Sequence, residues 1–296
     1  MKHNFYRFFY LLKNSLINFI CHKTFPANVF MELTEKCQIK HKNWGDDINK
    51  ELLYFISGKK VFCANNSLIY KIFTLKNYSC IGSILGMYEN EKTEVWGSGI
   101  LSEKILLRAR PAKVHLVRGK LTRNYLINRD VPCPEKYGDP ALLISDYYKP
   151  NIRRRYKMGI IPHYVDLEEE IITNYISQNP DVVLIDVANY NKWTDICDLV
   201  ASCDFVISSS LHGLIVSDSY GIPNLWVRFT DRLAGGDFKF LDYFSSVNRV
   251  ETSPVLIQNA IQLDEIKLNG VDEVVNVERC KKVIYETCPF LNNSQK

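Results

Sequence analysis

Short β-branched and aromatic runs alternate along this chain with segments whose apolar residues recur at helical spacing. That alternation predicts βαβ units and mostly parallel sheets, because parallel neighbours need a crossover between them. In the first half, residues 28–32 read as a strand, 43–47 as a polar turn and 48–56 as a helix. Further strands are expected at 61–63, 94–96 and 114–117, a helix at 120–127, and a turn at Gly138-Asp139-Pro140 before 141–144. Residues 147–155 are polar and basic, contain Pro150 and show no period, which makes them a linker. In the second half, strands at 158–161, 182–187, 205–208 and 225–228 alternate with helices at 167–176, 194–201 and 211–220. Gly221 and Pro223 stop the last of these helices. The expected class is α/β: two Rossmann-like domains, 28–148 and 156–244, facing a central cleft at the carboxyl ends of their strands. Residues 245–296 are expected to return as helix, with an apolar face over 275–285.

Residues 1–27 form a separate amphipathic segment, in which Phe5, Phe8, Phe9, Leu12, Leu16, Phe19 and Ile20 recur at helical spacing. Arg7, Lys13, Asn14 and Asn18 interrupt the apolar run and no small-residue cleavage site follows it, so it reads as neither a signal peptide nor a span. Two readings stay open, packing on the protein's own core or lying on a membrane surface.

Hydrophobic residues make up 46% of the chain and charged residues 24%, a balance that supports a core without covalent staples. The nine cysteines form an odd set with no CxxC pair, and several sit in apolar runs as small hydrophobes. A reducing, cytoplasmic setting is therefore expected, with peripheral contact on the inner face of the membrane left open. The net charge of +4 is too small to imply nucleic acid, and no aromatic-basic stripe is present. Basic residues cluster from Lys104 to Arg123 and again from Lys149 to Lys157. They are either solvated faces or an attraction for an anionic substrate or anionic headgroups.

The most informative segment is 205–223, where a buried strand runs into Ser208-Ser209-Ser210 and a helix begins at Leu211 or His212. Serines cap helices well, and the first amides of a helix have no internal partner, so the turn can hold an anion. Gly213 allows close approach, and His212 in the first turn is expected to face the cleft, where an imidazole can exchange protons near neutral pH. The plainer reading is a capping run with a histidine that only packs.

Four motifs occur in order: Asn43-x-Gly45-Asp46-Asp47-x-Asn49, Gly97-Ser98-Gly99, Gly138-Asp139-Pro140-Ala141, and Val206 to Gly213 with Gly221-Ile222-Pro223 behind it. From Asn43 to about Phe244 the chain thereby resembles the polysaccharide pyruvyl transferase family. The resemblance implies a GT-B-like fold, phosphoenolpyruvate as co-substrate, and a lipid- or nucleotide-linked sugar of a surface or capsular polysaccharide precursor as acceptor. It differs in one place, since many relatives carry a basic residue where this chain has Ser210. Arg118, Arg228 and Lys239 are the candidates to replace that cation, each with an alternative reading as an ordinary surface charge.

Ketal formation from phosphoenolpyruvate needs an acid for the enol carbon or the leaving phosphate, and His212 is the candidate. The turn from Ser208 to Gly213, including Leu211, would hold the phosphate. Asp46 or Asp47 would act as base, although a helix cap explains both equally well. Gly97-Ser98-Gly99 would bring backbone amides to the acceptor, with Asn43 and Gly45 at the matching strand end; a tight turn accounts for the glycines as simply. His163, before Asp166, lines the same cleft or closes a turn. No metal is expected, because the histidines show no HxH or HxxxH spacing. Two other functions compete: a glycosyltransferase of the same architecture using a nucleotide sugar, and a non-catalytic glycan- or phosphate-binding assembly protein. A nucleotide-sugar site usually carries a glutamate in the second domain, whereas the helix after Ser210 holds only Asp218.

Overall fold

The computed structural model describes residues 2–20, 24–40 and 42–291, without the side chains of 2–5, 17–20 and 71. Its first half runs α1 (Lys2–Ile20), β1 (Thr24–Asn28), α2 (Trp44–Ser57), β2 (Lys60–Cys63), α3 (Leu68–Ile72), β3 (Asn77–Ser79), β4 (Thr93–Trp96), β5 (Lys113–Leu116), α4 (Lys120–Ile127) and α5 (Ile144–Tyr147). The second half runs β6 (Tyr156–Ile161), α6 (Glu170–Gln178), β7 (Val182–Leu184), α7 (Trp193–Ala201), β8 (Cys203–Ser208), α8 (Leu211–Ser219), β9 (Asn224–Arg228), α9 (Phe238–Val247), β10 (Val255–Leu256), α10 (Ala260–Asn269) and α11 (Glu278–Thr287). Two five-stranded sheets result, ordered β2-β1-β3-β4-β5 and β10-β9-β8-β6-β7. Every strand pair in both is parallel. Counted from its own first strand, each sheet has the order 2-1-3-4-5. The order reverses between β1 and β3 in one sheet and between β6 and β8 in the other, and such switch points are where open parallel sheets bind ligands.

Four strands of the second sheet follow the sequence closely, because buried parallel strands are near-continuous apolar runs, while β10 falls in the segment read as a helical return. The first sheet departs from the sequence in two places. Its opening strand is β1 rather than 28–32, and Pro26 hides it, since proline normally argues against an interior strand. Here β3 pairs only with Ala27 and Asn28, so Pro26 precedes that ladder and no bond to β3 is lost. The strand β3 itself is three residues, Asn-Tyr-Ser, with no apolar period to reveal it. The unforeseen α9 follows Gly235-Gly236 and buries Phe240, Tyr243, Phe244 and Val247.

The helix α1 forms as expected but turns differently. Leu11 and Ser15 face inward, with Ser15 Oγ 3.0 Å from Ser67 Oγ, while Phe8, Phe9 and Leu16 are exposed. The expected contributions of Phe5, Phe19 and Ile20 lie outside the described side chains.

One apolar cluster crosses from sheet to sheet, taking in Trp44 and Ile48 of α2, Leu211 and Leu214 of α8, and Phe240 of α9. The Trp44 backbone N–H donates to the Val187 carbonyl at 2.9 Å and its indole N–H to the Trp193 carbonyl at 2.8 Å. Polar groups complete the join. Arg118 is fully buried after β5 and donates to Asp242 of α9 (3.0 Å), to Ser83 Oγ and to the Ile100 carbonyl (2.9 Å). The same Asp242 carboxylate accepts the Thr122 backbone N–H (2.8 Å) and hydroxyl (2.6 Å), and thus caps α4 from outside. A methyl at Gly119 would fall 1.7 Å from the Asp242 carbonyl oxygen, so only glycine lets α9 come this near.

Removing one partner of such a pair leaves the other charge buried and unpaired, at about 3–5 kcal/mol. Asp242→Ala is therefore expected to lower unfolding free energy by that amount in urea titration, and a loss under about 1 kcal/mol would contradict the role given to the pair.

Candidate active site

Both switch points open on one cavity of roughly 150 Å³. Phe30 and Ser83 reach it from beyond β1 and β3, His163 and Tyr164 from beyond β6, and Ser210, Leu211 and His212 from beyond β8. Asn43 and Asp46 enter from the N-terminus of α2 and Lys239 from α9.

The N-terminus of α8 places His212 against the N-terminus of α2. A Cβ at Gly45 would lie 1.9 Å from His212 Nδ1, so the ring rests where a side chain would otherwise stand. His212 keeps a partial opening to the cavity, but its Nε2 is sealed from solvent and has no hydrogen-bond partner among the described residues. Burial, with the charges of Lys239 and Arg118 behind it, pushes the imidazole down to about 3. The unliganded site therefore holds a neutral histidine.

Asp46 sits in the first turn of α2 with Asn43 Nδ2 donating to its Oδ2 at 2.7 Å. Burial, then the neighbouring Asp47, raises its carboxyl to about 7, against the pull of Lys239. Lys239 is buried to 8% exposure and has no hydrogen-bond or ion-pair partner among the described residues. Burial and the like charge of Arg118 lower it to about 8, with Asp46 opposing. A proton carrier, a neutral imidazole and a cation without a counter-charge thus share one small space.

The other residues singled out in the sequence lie elsewhere in the fold. Asp47 accepts the Tyr190 hydroxyl at 2.6 Å, lies 3.3 Å from Lys50 Nζ and is not among the residues lining the His212 cavity. Gly97, at φ +100°, lies against Pro140 and donates its N–H to the Leu116 carbonyl at 2.9 Å. Gly99 donates to the Gly82 carbonyl at 3.1 Å and leaves room for the Arg118 guanidinium, and Ser98 Oγ bonds the Gly82 carbonyl at 2.9 Å. The amides of both glycines are thus engaged within the fold. Ser208 Oγ lies 2.9 Å from the carbonyls of Ile161 and Ser210, and a Cβ on Gly213 would collide with it. Ser209 Oγ accepts the His163 N–H at 2.9 Å and bonds Asp166 at 3.1 Å, pinning the loop after β6. Of the three serines, Ser210 alone lines the cavity.

The three candidate cations separate cleanly. Arg118 is bound to Asp242, Arg228 pairs with Asp237 outside the cavity, and Lys239 lines it. Sequence reasoning missed Ser83, Tyr164, Met87 and Ala234, which come from loops with no motif. Cys197 and Cys203 are buried thiols pushed up to about 12 by burial, which leaves them unreactive. Among the described residues no group of three or more His, Cys, Asp or Glu is placed to hold a metal ion. No described helix is long and apolar enough to cross a membrane.

The sequence model of the polysaccharide pyruvyl transferase family matches residues 35–230. The chain belongs to that family. It is also 34% identical over 215 residues to the uncharacterized protein L143 of Acanthamoeba polyphaga mimivirus, covering 70% of this chain and 71% of the relative.

Gly45→Ala tests the geometry, because its methyl must displace the His212 ring. A shift of about 1 Å at a reacting group costs on the order of 100-fold in rate, so kcat/KM for the family reaction is expected to fall by that much in a protein that still folds. Unchanged turnover would show that the position of His212 is not critical.

Proposed function

We propose that the protein transfers a pyruvyl group from phosphoenolpyruvate to two hydroxyls of a sugar unit, forming a pyruvate ketal and releasing phosphate. The observation that carries this reading is the meeting of His212, Asp46 and unpaired Lys239 at the double switch point. On this reading the two halves act as GT-B-like domains across the cavity, with 28–148 on the acceptor side and 156–244 on the donor side. If the acceptor is lipid-linked, the exposed Phe8, Phe9 and Leu16 of α1 give the first half an apolar surface to lay on the membrane.

Lys239 and the N-terminal amides of α8 hold the donor's anionic groups, taking the place of the basic residue that Ser210 does not supply. Protonation of the enol carbon makes C2 electrophilic, one sugar hydroxyl adds there, phosphate departs, and the second hydroxyl closes the ketal. The two hydroxyls release two protons; one balances the hydrogen gained at the methyl carbon and the other leaves with phosphate. The site's electrostatics reverse the roles expected from sequence. Asp46, raised to about 7, is about half protonated at neutral pH, and its protonated form acts as acid toward the enol carbon while neutral His212 accepts the hydroxyl proton. A bound phosphate then stabilises the imidazolium that forms, by opposite charge. Asp47 holds Tyr190 and takes no part in this chemistry.

The glycosyltransferase alternative loses its only acidic candidate on α8. Asp218 is buried and accepts from Tyr243 (2.6 Å) and Asn224 (2.6 Å), with Arg249 at 3.7 Å, so it is engaged in packing α9.

Phosphate release from phosphoenolpyruvate, measured with a panel of lipid-linked and nucleotide-linked sugars, tests the function. Release that requires an acceptor, yields a pyruvylated sugar by mass spectrometry, and falls about 10²–10⁴-fold in His212→Ala is the expected outcome. Turnover of a nucleotide sugar without phosphoenolpyruvate would contradict it.

The pH dependence follows from the same assignments. Protonated Asp46 and charged Lys239 are lost as pH rises through about 7 and about 8, so kcat/KM is expected to decline across that window. No acidic limb from His212 is expected between pH 5 and 7, because that group titrates at about 3. An acidic limb with its midpoint near 6.5 would contradict the low value of His212.

Stability should fall in the same direction. The raised Asp46 contributes most below its unfolded pKa, and that contribution is lost as pH rises through its folded value of about 7. Asp46→Asn is therefore expected to stabilise the fold at pH 8 by on the order of 1–3 kcal/mol, to do little at pH 4, and to abolish turnover. Destabilisation at pH 8 would mean that the carboxylate is compensated in the fold.

A further inference from the structure

A second, larger cavity of roughly 540 Å³ lies beside the first. Its wall continues that of the His212 cavity in sequence: Phe30 and Met87 line one, Met31 and Tyr88 the other. Tyr88 is close enough to Asp46 for the carboxylate to help raise its phenol to about 12, after burial. Glu89 accepts the backbone amides of Gly86 and Tyr88 and so fixes the loop that divides the two spaces.

The cavity sits over the carboxyl ends of β1 and β2, roofed by α1 and α3, and side-chain amides concentrate in it. Most of these are bonded. Asn65 exchanges two 3.0 Å hydrogen bonds with the Val29 backbone, and Asn77 Oδ1 accepts from Asn28 Nδ2 at 2.8 Å. Two groups are not. Asn28 is 1% exposed, yet its Oδ1 has no partner among the described residues, and the same holds for Asn66 Nδ2. One is an acceptor and the other a donor, both on residues that line the cavity, and buried polar groups are rarely left unmatched. Tyr70 and Tyr88 are part of the lining. Arg7 and Arg108 stand exposed in it, and neither forms an ion pair with a described residue.

We propose that this cavity is a saccharide subsite, which holds a sugar unit bearing an anionic substituent. Unmatched amide groups suit the alternating donor and acceptor capacity of sugar hydroxyls, the tyrosine rings suit the apolar face of a pyranose, and the arginines suit a phosphate or carboxylate on the sugar. The volume falls within the range of ordinary small-molecule sites. Calling the sugar the acceptor rests on the pyruvyl-transfer reading; the binding itself does not. With the acceptor held here, its next unit would reach past Tyr88 toward Asp46, which places the donor in the small cavity and the glycan in the large one.

Ligand-observed NMR on the full chain tests this without turnover, using glucose, galactose, mannose and N-acetylglucosamine, each free, as the 1-phosphate and as the uridine diphosphate conjugate. Binding of at least one of these sugars is expected, weakened about tenfold in Tyr70→Ala and unchanged in His212→Ala. Arg7→Ala should weaken the phosphorylated forms and spare the free sugar; equal loss in 1-phosphate and conjugate shows that the phosphate rather than the nucleotide is recognised. Binding lost in His212→Ala but intact in both cavity variants would overturn the assignment, as would no binding of any probe at about 10 mM. Saccharide binding without phosphoenolpyruvate turnover would sink pyruvyl transfer and leave this subsite standing. Turnover with acceptor affinity indifferent to the cavity variants would do the reverse.

Discussion

The ion pair between Arg118 and Asp242 is the constraint on which the rest of the molecule depends. It joins the end of β5 to α9 with both side chains fully buried. Through Ser83 and Ile100 it holds the loops beyond the first sheet, and through Thr122 it caps α4. The position of α9 also brings Lys239 to the cavity. A buried pair stabilises weakly in net terms, because desolvation offsets most of its attraction. What it provides here is registration, since the alternatives leave a charge without a partner. The same guanidinium acts on the chemistry, as its charge helps lower both His212 and Lys239. Architecture and reactivity are coupled through one side chain.

That coupling explains an inverted pair of titrating groups. In water a histidine outlasts an aspartate as a proton carrier by more than two pH units. Inside this cavity the order is reversed, because burial disfavours charge on both and the surrounding cations add to the penalty only for the imidazole. A donor that brings several negative charges would raise the imidazole, which remains neutral until it takes up the hydroxyl proton and is then stabilised as imidazolium. On the proposed reading the site would accept an anion and pass protons only when one is bound. Keeping a carboxyl group buried beside a lysine that has no ion-pair partner among the described residues costs stability, and functional sites commonly carry such a cost.

The legible part of this structure was the part carried by local pattern. Strands of the second sheet showed as β-branched runs, and α4 began and ended where its apolar spacing predicts. The turn from Ser208 to His212 was visible because a strand, three serines and a helix occur in immediate succession, although none of the serine side chains caps α8. What stayed hidden depends on distance in sequence. Arg118 reads as a free cation until Asp242, 124 residues later, is known to lie against it. Asp46 and Asp47 are equivalent on paper and divide only because Tyr190 arrives at one of them. The glycines of Gly97-Ser98-Gly99 read as a ligand loop, whereas packing against Pro140 and Arg118 uses them. Polar β3 and proline-bearing β1 show that an interior strand can be recruited by neighbours rather than by its own propensity.

The protonation state of His212 bears most directly on all of this, and it can be read by NMR on protein labelled at the histidine ring carbons, titrated with and without phosphoenolpyruvate. If the cavity works as described, the His212 signal stays in the neutral form from pH 8 down to about 4 in the free protein. Its midpoint then rises above that of the free protein once phosphoenolpyruvate is added, with the ring still neutral at pH 7. A midpoint near 6.5 in the free protein, or a signal indifferent to phosphoenolpyruvate, would contradict the assignment of this cavity as the donor site.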